Sequence, residues 1–228
     1  MHPVKFSPSL MCLDIMNAGD QIRSLSQYCD YMHVDIMDGH FAPNLTLGPD
    51  FVKAARSCTS VPLEIHMMCE QPSMWIRPVI EAGANIVSLH AETISRDAFR
   101  QLNLLNSLGV KAGVVLNPAT PLSDVRAYIE RLDLVTIMTV DVGFAGQPFI
   151  EEMLPKIEAA AELKANEGLR FELQIDGSCN KRTFKKLRDA GAEIFILGNS
   201  GLFSKDADID TAWKLMSLDY EAQTGESL

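Results

Sequence analysis

The chain predicts an α/β fold, a single (β/α)₈ TIM barrel, on three observations. Eight short apolar runs alternate with longer amphipathic stretches from one end to the other, glycines fall just after several of the amphipathic stretches, and no linker or composition break divides the sequence. Regular alternation of this kind implies parallel strands, and eight such units in about 220 residues match a closed barrel. An open doubly wound sheet is the alternative that the same alternation allows.

Strands are expected over 5–11, 31–37, 63–68, 86–89, 111–116, 134–139, 172–175 and 194–197. Helices are expected between them, near 15–26, 50–57, 73–82, 96–108, 122–129, 151–167 and 181–190, with a last one over 208–218. Gly83, Gly109, Gly168 and Gly191 each follow a helix, where a left-handed cap is wanted. Residues 1–228 are therefore expected to form one catalytic domain, with a polar tail from about residue 220 that frays.

Composition narrows the partners. Hydrophobic residues make up 47% of the 228, which suits a globular chain able to bury a sizeable core. The formal charge of −10, with scattered basic residues, argues against a nucleic-acid surface. No apolar run approaches the ~20 residues of a membrane span, and MHPVKFSPSL lacks the apolar core of a signal peptide. Cys12, Cys29, Cys58, Cys69 and Cys179 are odd in number and contain no C-x-x-C pair, so they are expected as reduced thiols in a cytoplasmic protein.

The stretch YMHVDIMDGHFAPNLTLGP, from Tyr31 to Pro49, carries the first chemical signal. Side chains switch faces at every residue of a strand, so His33, Asp35 and Met37 oppose Met32, Val34 and Ile36. An inward imidazole and carboxylate can chelate a metal or form a hydrogen-bonded pair. Barrels work at the C-terminal ends of their strands. There the sequence offers Ser9, then His33, Asp35 and Met37, then His66 and Met68, His90, Met138, and Asp176. His33, Asp35, His66 and Asp176 converge from three strands. Two imidazoles with two carboxylates suit one divalent ion, Zn²⁺, Fe²⁺, Co²⁺ or Mn²⁺. Met37, Met68 and Met138 fit either packing or an apolar wall around that ion. Asp38, His40, His90 and Glu92 are assigned to turns or to contacts behind the ligands.

Glycines gather further round the rim. They lie in Gly143-Phe144-Ala145-Gly146 after the sixth strand, Gly177-Ser178 after the seventh, and Gly198-Asn199-Ser200-Gly201 after the eighth. Barrels bind a monophosphate with such loops. The third and sixth strands carry no lysine for a Schiff base, and nothing in the sequence marks Cys179 as a nucleophile.

HVDIMDGHFAPNLTLGP (33–49), His66-Met67-Met68, GVVLNPATP (113–121), DVGFAGQPF (141–149) and QIDGSCN (174–180) resemble the ribulose-phosphate 3-epimerase family, in order from about residue 7 to residue 203. Within it, Ser9-Leu10-Met11-Cys12, Ala145, Pro148, Asp176-Gly177-Ser178-Cys179-Asn180 and Ser200-Gly201-Leu202-Phe203 are most similar to members acting on D-allulose 6-phosphate. Val142 and Asn199 stand where the family more often has proline and threonine. The resemblance implies a metal held by His33, Asp35, His66 and Asp176, with Asp35 and Asp176 as the two acid/base groups. It implies a small-molecule sugar phosphate held by Ser9 and His66 at the sugar. It further implies that Gly143, Gly146, Gly177, Ser178, Gly198, Asn199 and Ser200 hold its phosphate, with Phe144 and Ala145 also contacting the substrate. A homo-oligomer is expected. The implied activity is a metal-dependent 3-epimerase taking D-allulose 6-phosphate to D-fructose 6-phosphate through a metal-stabilised enediolate. D-Ribulose 5-phosphate is the alternative substrate, and a non-catalytic sugar-phosphate-binding regulator is the alternative from another class.

Overall fold

The computed structural model describes residues 3–228. Its strands are β1 (Lys5–Pro8), β2 (Met32–Met37), β3 (Leu63–Met68), β4 (Ile86–His90), β5 (Lys111–Leu116), β6 (Leu134–Met138), β7 (Glu172–Asp176) and β8 (Ile194–Leu197). They form one parallel sheet in the order β1-β8-β7-β6-β5-β4-β3-β2. A parallel bridge between Ser9 and His33 joins the two ends into a barrel. Around it run α1 (Ala18–Leu25), α2 (Pro49–Cys58), α3 (Ile76–Glu81), α4 (Ala91–Ile94), α5 (Ala98–Ser107), α6 (Leu154–Glu167), α7 (Phe184–Asp189) and α8 (Ile209–Thr224). Gly168 ends α6 at φ 64°, the left-handed cap its position requires. None of the helices in the described residues is long and apolar enough to cross a membrane.

Three local expectations are corrected. The first strand stops at Pro8, and residues Leu10–Cys12 form a 3-10 turn closed by the Cys12 N–H on the Ser9 carbonyl. The helix expected over 122–129 is two 3-10 turns, Leu122–Val125 and Ile129–Arg131. Val125, Tyr128 and Ile129 are buried with the spacing that suggested a helix, but Tyr128 at φ −134° leaves helical conformation. The tail expected to fray from about 220 is instead held. Helix α8 continues to Thr224, and Tyr220 is fully buried edge-on against Phe6, Phe184 and Phe195. The Tyr220 hydroxyl donates to Glu226, which also accepts from the Arg188 guanidinium. An aromatic this size contributes too much apolar burial to be left in water.

The barrel interior is layered. Tyr31, Ile86, Leu134 and Ile194 make an apolar plug at the ends where the strands begin. One layer further along, Glu64, Ser88, Thr136 and Gln174 are all fully buried. Glu64 accepts from Ser88 Oγ at 2.7 Å and Gln174 Nε2 at 2.8 Å, and Thr136 Oγ1 donates to Gln174 Oε1 at 2.6 Å. A carboxylate at this depth is tolerable only with its oxygens occupied. Space for the layer comes from Gly113, beside Ser88 on the next strand: a Cβ there would lie 2.2 Å from Ser88 Oγ and 3.1 Å from Ser88 Cα. Gly113→Ala should therefore destabilise the protein by about 1–3 kcal/mol through overpacking. Chemical denaturation checks this, and a change of only a few tenths would show that the layer is not tightly packed.

Candidate active site

Beyond the polar layer, at the C-terminal strand ends, four ligand-type side chains converge. Each position follows from strand periodicity. His33 and Asp35 share the inward face of β2, His66 is in register with Asp35 on β3, and Asp176 is the last residue of β7. His33 Nε2 lies 3.2 Å from His66 Nδ1, 3.3 Å from Asp35 Oδ1 and 3.7 Å from Asp176 Oδ2. His66 Nδ1 lies 3.2 Å from Asp35 Oδ1 and 3.4 Å from Asp176 Oδ2. Ligand atoms at 2.0–2.2 Å from a tetrahedral ion stand about 3.3–3.6 Å from one another. The observed separations are of that size, and all four ligand atoms fall within 4.8 Å of each other. Nitrogen and carboxylate donors in this number can hold one divalent metal ion.

The groups behind the ligands are as ordered as the ligands. His33 Nδ1 is 2.9 Å from Glu64 Oε2, the third contact of that carboxylate. His66 Nε2 is 2.9 Å from His90 Nε2, and His90 Nδ1 is 3.1 Å from Glu92 Oε2. Burial alone would push His33 down, but Asp35 and Glu64 raise it well above its ordinary value. Burial likewise opposes a charged His66, and hydrogen bonds to Asp176 and Asp35 outweigh it and raise it. Asp35 moves the other way: against burial, the His33 and His66 imidazoles hold its carboxyl far below the usual range. Burial dominates at His90 and takes it down to about 4. A carboxylate-rich pocket that raises the proton affinity of both imidazoles also favours a cation competing for the same lone pairs.

The cluster forms the floor of a cleft enclosing about 580 Å³, counting its open mouth, a size suited to a small ligand. Asp35, His66 and Asp176 line the cleft, and His33, like His66 fully buried, is not part of its lining. Met37, Met68 and Met138 line the walls and are buried, Met37 and Met68 against Ala42 and Met138 against Val115 and Val140. They pack and they face the site, so both sequence readings describe the same atoms. Ser9 lines the cleft too, and its hydroxyl donates to Asp35 Oδ2 at 2.6 Å, the oxygen left over from the ligand cluster. Gly143, Phe144, Ala145 and Gly146 from the loop after β6, Gly177 and Ser178 from that after β7, and Gly198, Asn199 and Ser200 from that after β8 complete the lining. Among the described residues Ser178 is the one non-glycine with positive φ, at 50°. It is fastened by its hydroxyl on the Gln147 carbonyl. Cys12 also lines the cleft, but burial, and then Asp35, raise its thiol to about 11, and burial raises Cys179 well above its ordinary value. Neither thiol is poised as a nucleophile.

Every residue singled out for metal or substrate contact is brought to this one place. Asp38 and His40 are in a turn instead, the Asp38 carboxylate accepting from the His40 and Phe41 backbone N–H groups. Glu64, Ser88, Thr136 and Gln174 were not singled out. The signal was present at Glu64, which shares the inward face of β3 with His66 two residues later, and an ionisable side chain on the inner face of a buried strand marks a site.

Residues 5–203 match the model of the ribulose-phosphate 3 epimerase family. The ribulose-phosphate 3-epimerase of Bacillus subtilis is 40% identical over 199 residues, covering 86% of this chain and 91% of its own. The chloroplastic ribulose-5-phosphate-3-epimerase of Arabidopsis thaliana is 40% identical over 202 residues, covering 88% and 72%. A solved 3-hexulose-6-phosphate synthase superposes with a TM-score of 0.68 at 13% identity, over 97% of this chain and 100% of its own, a likeness of fold. A family match over most of the length and relatives at this identity place the chain: it belongs to the ribulose-phosphate 3-epimerase family and is an isomerase of the epimerase type.

Proposed function

We propose that this protein inverts C3 of a ketose phosphate by proton transfer between two opposed carboxylates, Asp35 and Asp176, and that its substrate is D-allulose 6-phosphate, with D-fructose 6-phosphate as product. The observation that carries the mechanism is that these two aspartates, from β2 and β7, each turn one oxygen into a single donor cluster at the floor of the cleft. His33, Asp35, His66 and Asp176 would hold a divalent ion, which would supply Lewis-acid stabilisation of the negative charge developing on the substrate oxygens. Asp35 and Asp176 do the proton transfer. One carboxylate removes the C3 proton from one face, and the other, as the carboxylic acid, returns a proton to the opposite face. Their protonation states are then exchanged and are reset through solvent. Ser9 holds Asp35 Oδ2 by a hydrogen bond, which orients that oxygen and lowers its basicity. Met37, Met68 and Met138 keep water from the carbanionic centre. The loops after β6, β7 and β8 bind the phosphate, mainly through backbone N–H groups. The assembly expected from the family resemblance and a cytoplasmic setting belong to this same reading.

Substrate choice rests on the loops. Ala145, Pro148, Ser178 and Ser200-Gly201-Leu202-Phe203 resemble members acting on the six-carbon ketose phosphate. The named relatives instead favour D-ribulose 5-phosphate as the second reading. The two anchors discriminate by length: the floor fixes C2 and C3, the loops fix the phosphate, and misplacement by about 1 Å costs ~10²-fold.

Replacement of either base by its isostere should remove one face of the reaction. Asp35→Asn and Asp176→Asn are each expected to lower kcat/KM by about 10²–10⁴-fold. Near wild-type turnover by either variant, in a coupled assay, would refute the two-base assignment. Side-by-side kcat/KM values with the same metal should favour D-allulose 6-phosphate over D-ribulose 5-phosphate. A preference for the five-carbon substrate would overturn the substrate and leave the mechanism standing.

A further inference from the structure

We infer that Glu92, acting through His90, is a positioning residue that sets which nitrogen of His66 is free to bind the metal. The inference rests on the site reading above and deepens it. His66 presents Nδ1 to the ligand cluster, so in its neutral form its proton sits on Nε2. That N–H points at His90 Nε2, 2.9 Å away, which must then accept. His90 can accept at Nε2 only by carrying its own proton on Nδ1, and Nδ1 faces Glu92 Oε2 at 3.1 Å. The other Glu92 oxygen accepts from the Asn117 backbone N–H at 3.1 Å and from the Thr120 hydroxyl. The ionised Glu92 carboxylate can only accept, so the donors converge on it, from the Asn117 N–H and Thr120 hydroxyl on one oxygen and from His66 through His90 on the other. His66 and His90 are both almost fully buried, their rings stacked with centroids 5.0 Å apart, and no solvent contact relieves a wrong tautomer. His33 is set by the opposite pattern, Nδ1–H on Glu64 with Nε2 to the site. The two metal-binding imidazoles are thus held in opposite tautomers by two different carboxylates.

Glu92→Gln makes the test specific, because it changes one oxygen to an NH₂ at nearly constant shape. Its remaining oxygen serves the Asn117 N–H, so the NH₂ meets His90 Nδ1. His90 is then forced to Nε2–H, and the His66 Nε2–H that leaves Nδ1 free for the ion loses its acceptor. The probe is Zn²⁺ alone, in competition with a chromophoric chelator, together with long-range ¹H–¹⁵N spectra of ¹⁵N-histidine-labelled protein. Zn²⁺-loaded wild type should give His33 as Nδ1–H, His66 as Nε2–H and His90 as Nδ1–H. Glu92→Gln should lose about 10–100-fold in Zn²⁺ affinity, and its zinc-free spectra should show His90 reversed, with its proton on Nε2. Glu92→Asp, which keeps two acceptor oxygens, should recover part of the affinity. Affinity within twofold of wild type for Glu92→Gln, or His90 carrying its proton on Nε2 in wild type, would overturn the relay while leaving the metal site intact. Absence of Zn²⁺-induced shifts at both His33 and His66 in wild type would overturn the metal site itself, and with it the relay.

Discussion

The rim of this barrel depends on holding like charges together out of water. Asp35, Asp176 and Glu64 bring three carboxylates around two imidazoles, with His33, His66 and Glu64 fully buried. Carboxylates at such separations repel strongly where water is scarce. A divalent cation held by the four donor atoms would turn that repulsion into attraction, and would draw off negative charge from a bound substrate. The constraint explains why the ligands sit on strands rather than loops. Strands locked in a hydrogen-bonded sheet hold groups from three separate segments to within the ~0.5 Å a preorganised site needs, more precisely than loops would.

Order spreads from that centre in two directions. Inward, Glu64 ties His33 to the polar layer of Ser88, Gln174 and Thr136, so the metal floor is continuous with the barrel core. Outward, side-chain amides stitch the glycine loops to one another. Asn44 Nδ2 donates to the Gly143 carbonyl at 2.7 Å, and Asn180 Nδ2 donates to the Ser178 carbonyl at 2.9 Å and to Ser200 Oγ at 3.1 Å. Lys156, on α6, donates to the carbonyls of Asn117, Pro118 and Thr120 and so steadies the segment on which Glu92 rests. Rigid floor and braced loops together fix the distance between the donor cluster and the glycine loops across the cleft.

The parts of this arrangement governed by a two-residue period were legible in the sequence. Alternation on 31–37 put His33 and Asp35 on one face, and the barrel inferred from eight repeating units brought His66 and Asp176 to the same rim. Glu64 obeys the same period but lies one layer below the strand ends where barrel chemistry collects, so the period alone does not set it apart from a core position. What the sequence did not carry was whatever depends on contacts between distant segments. The segment over 122–129 has helical spacing yet forms 3-10 turns, and the polar tail is held by Tyr220 and Glu226 because an aromatic pocket awaits them. Periodicity specifies a face; it does not say what lies opposite.

In the proposed mechanism Asp35 and Asp176 exchange the C3 hydrogen with solvent rather than passing it across, and one direct measurement tests this. Turnover of the metal-loaded protein on D-allulose 6-phosphate in D₂O, stopped early and analysed by NMR, reports the origin of the hydrogen at C3. The account predicts one deuteron at C3 of the epimer formed, with the unconverted substrate still largely protonated there. Product that keeps the original C3 proton would mean a single group carries it between faces, and would contradict the account.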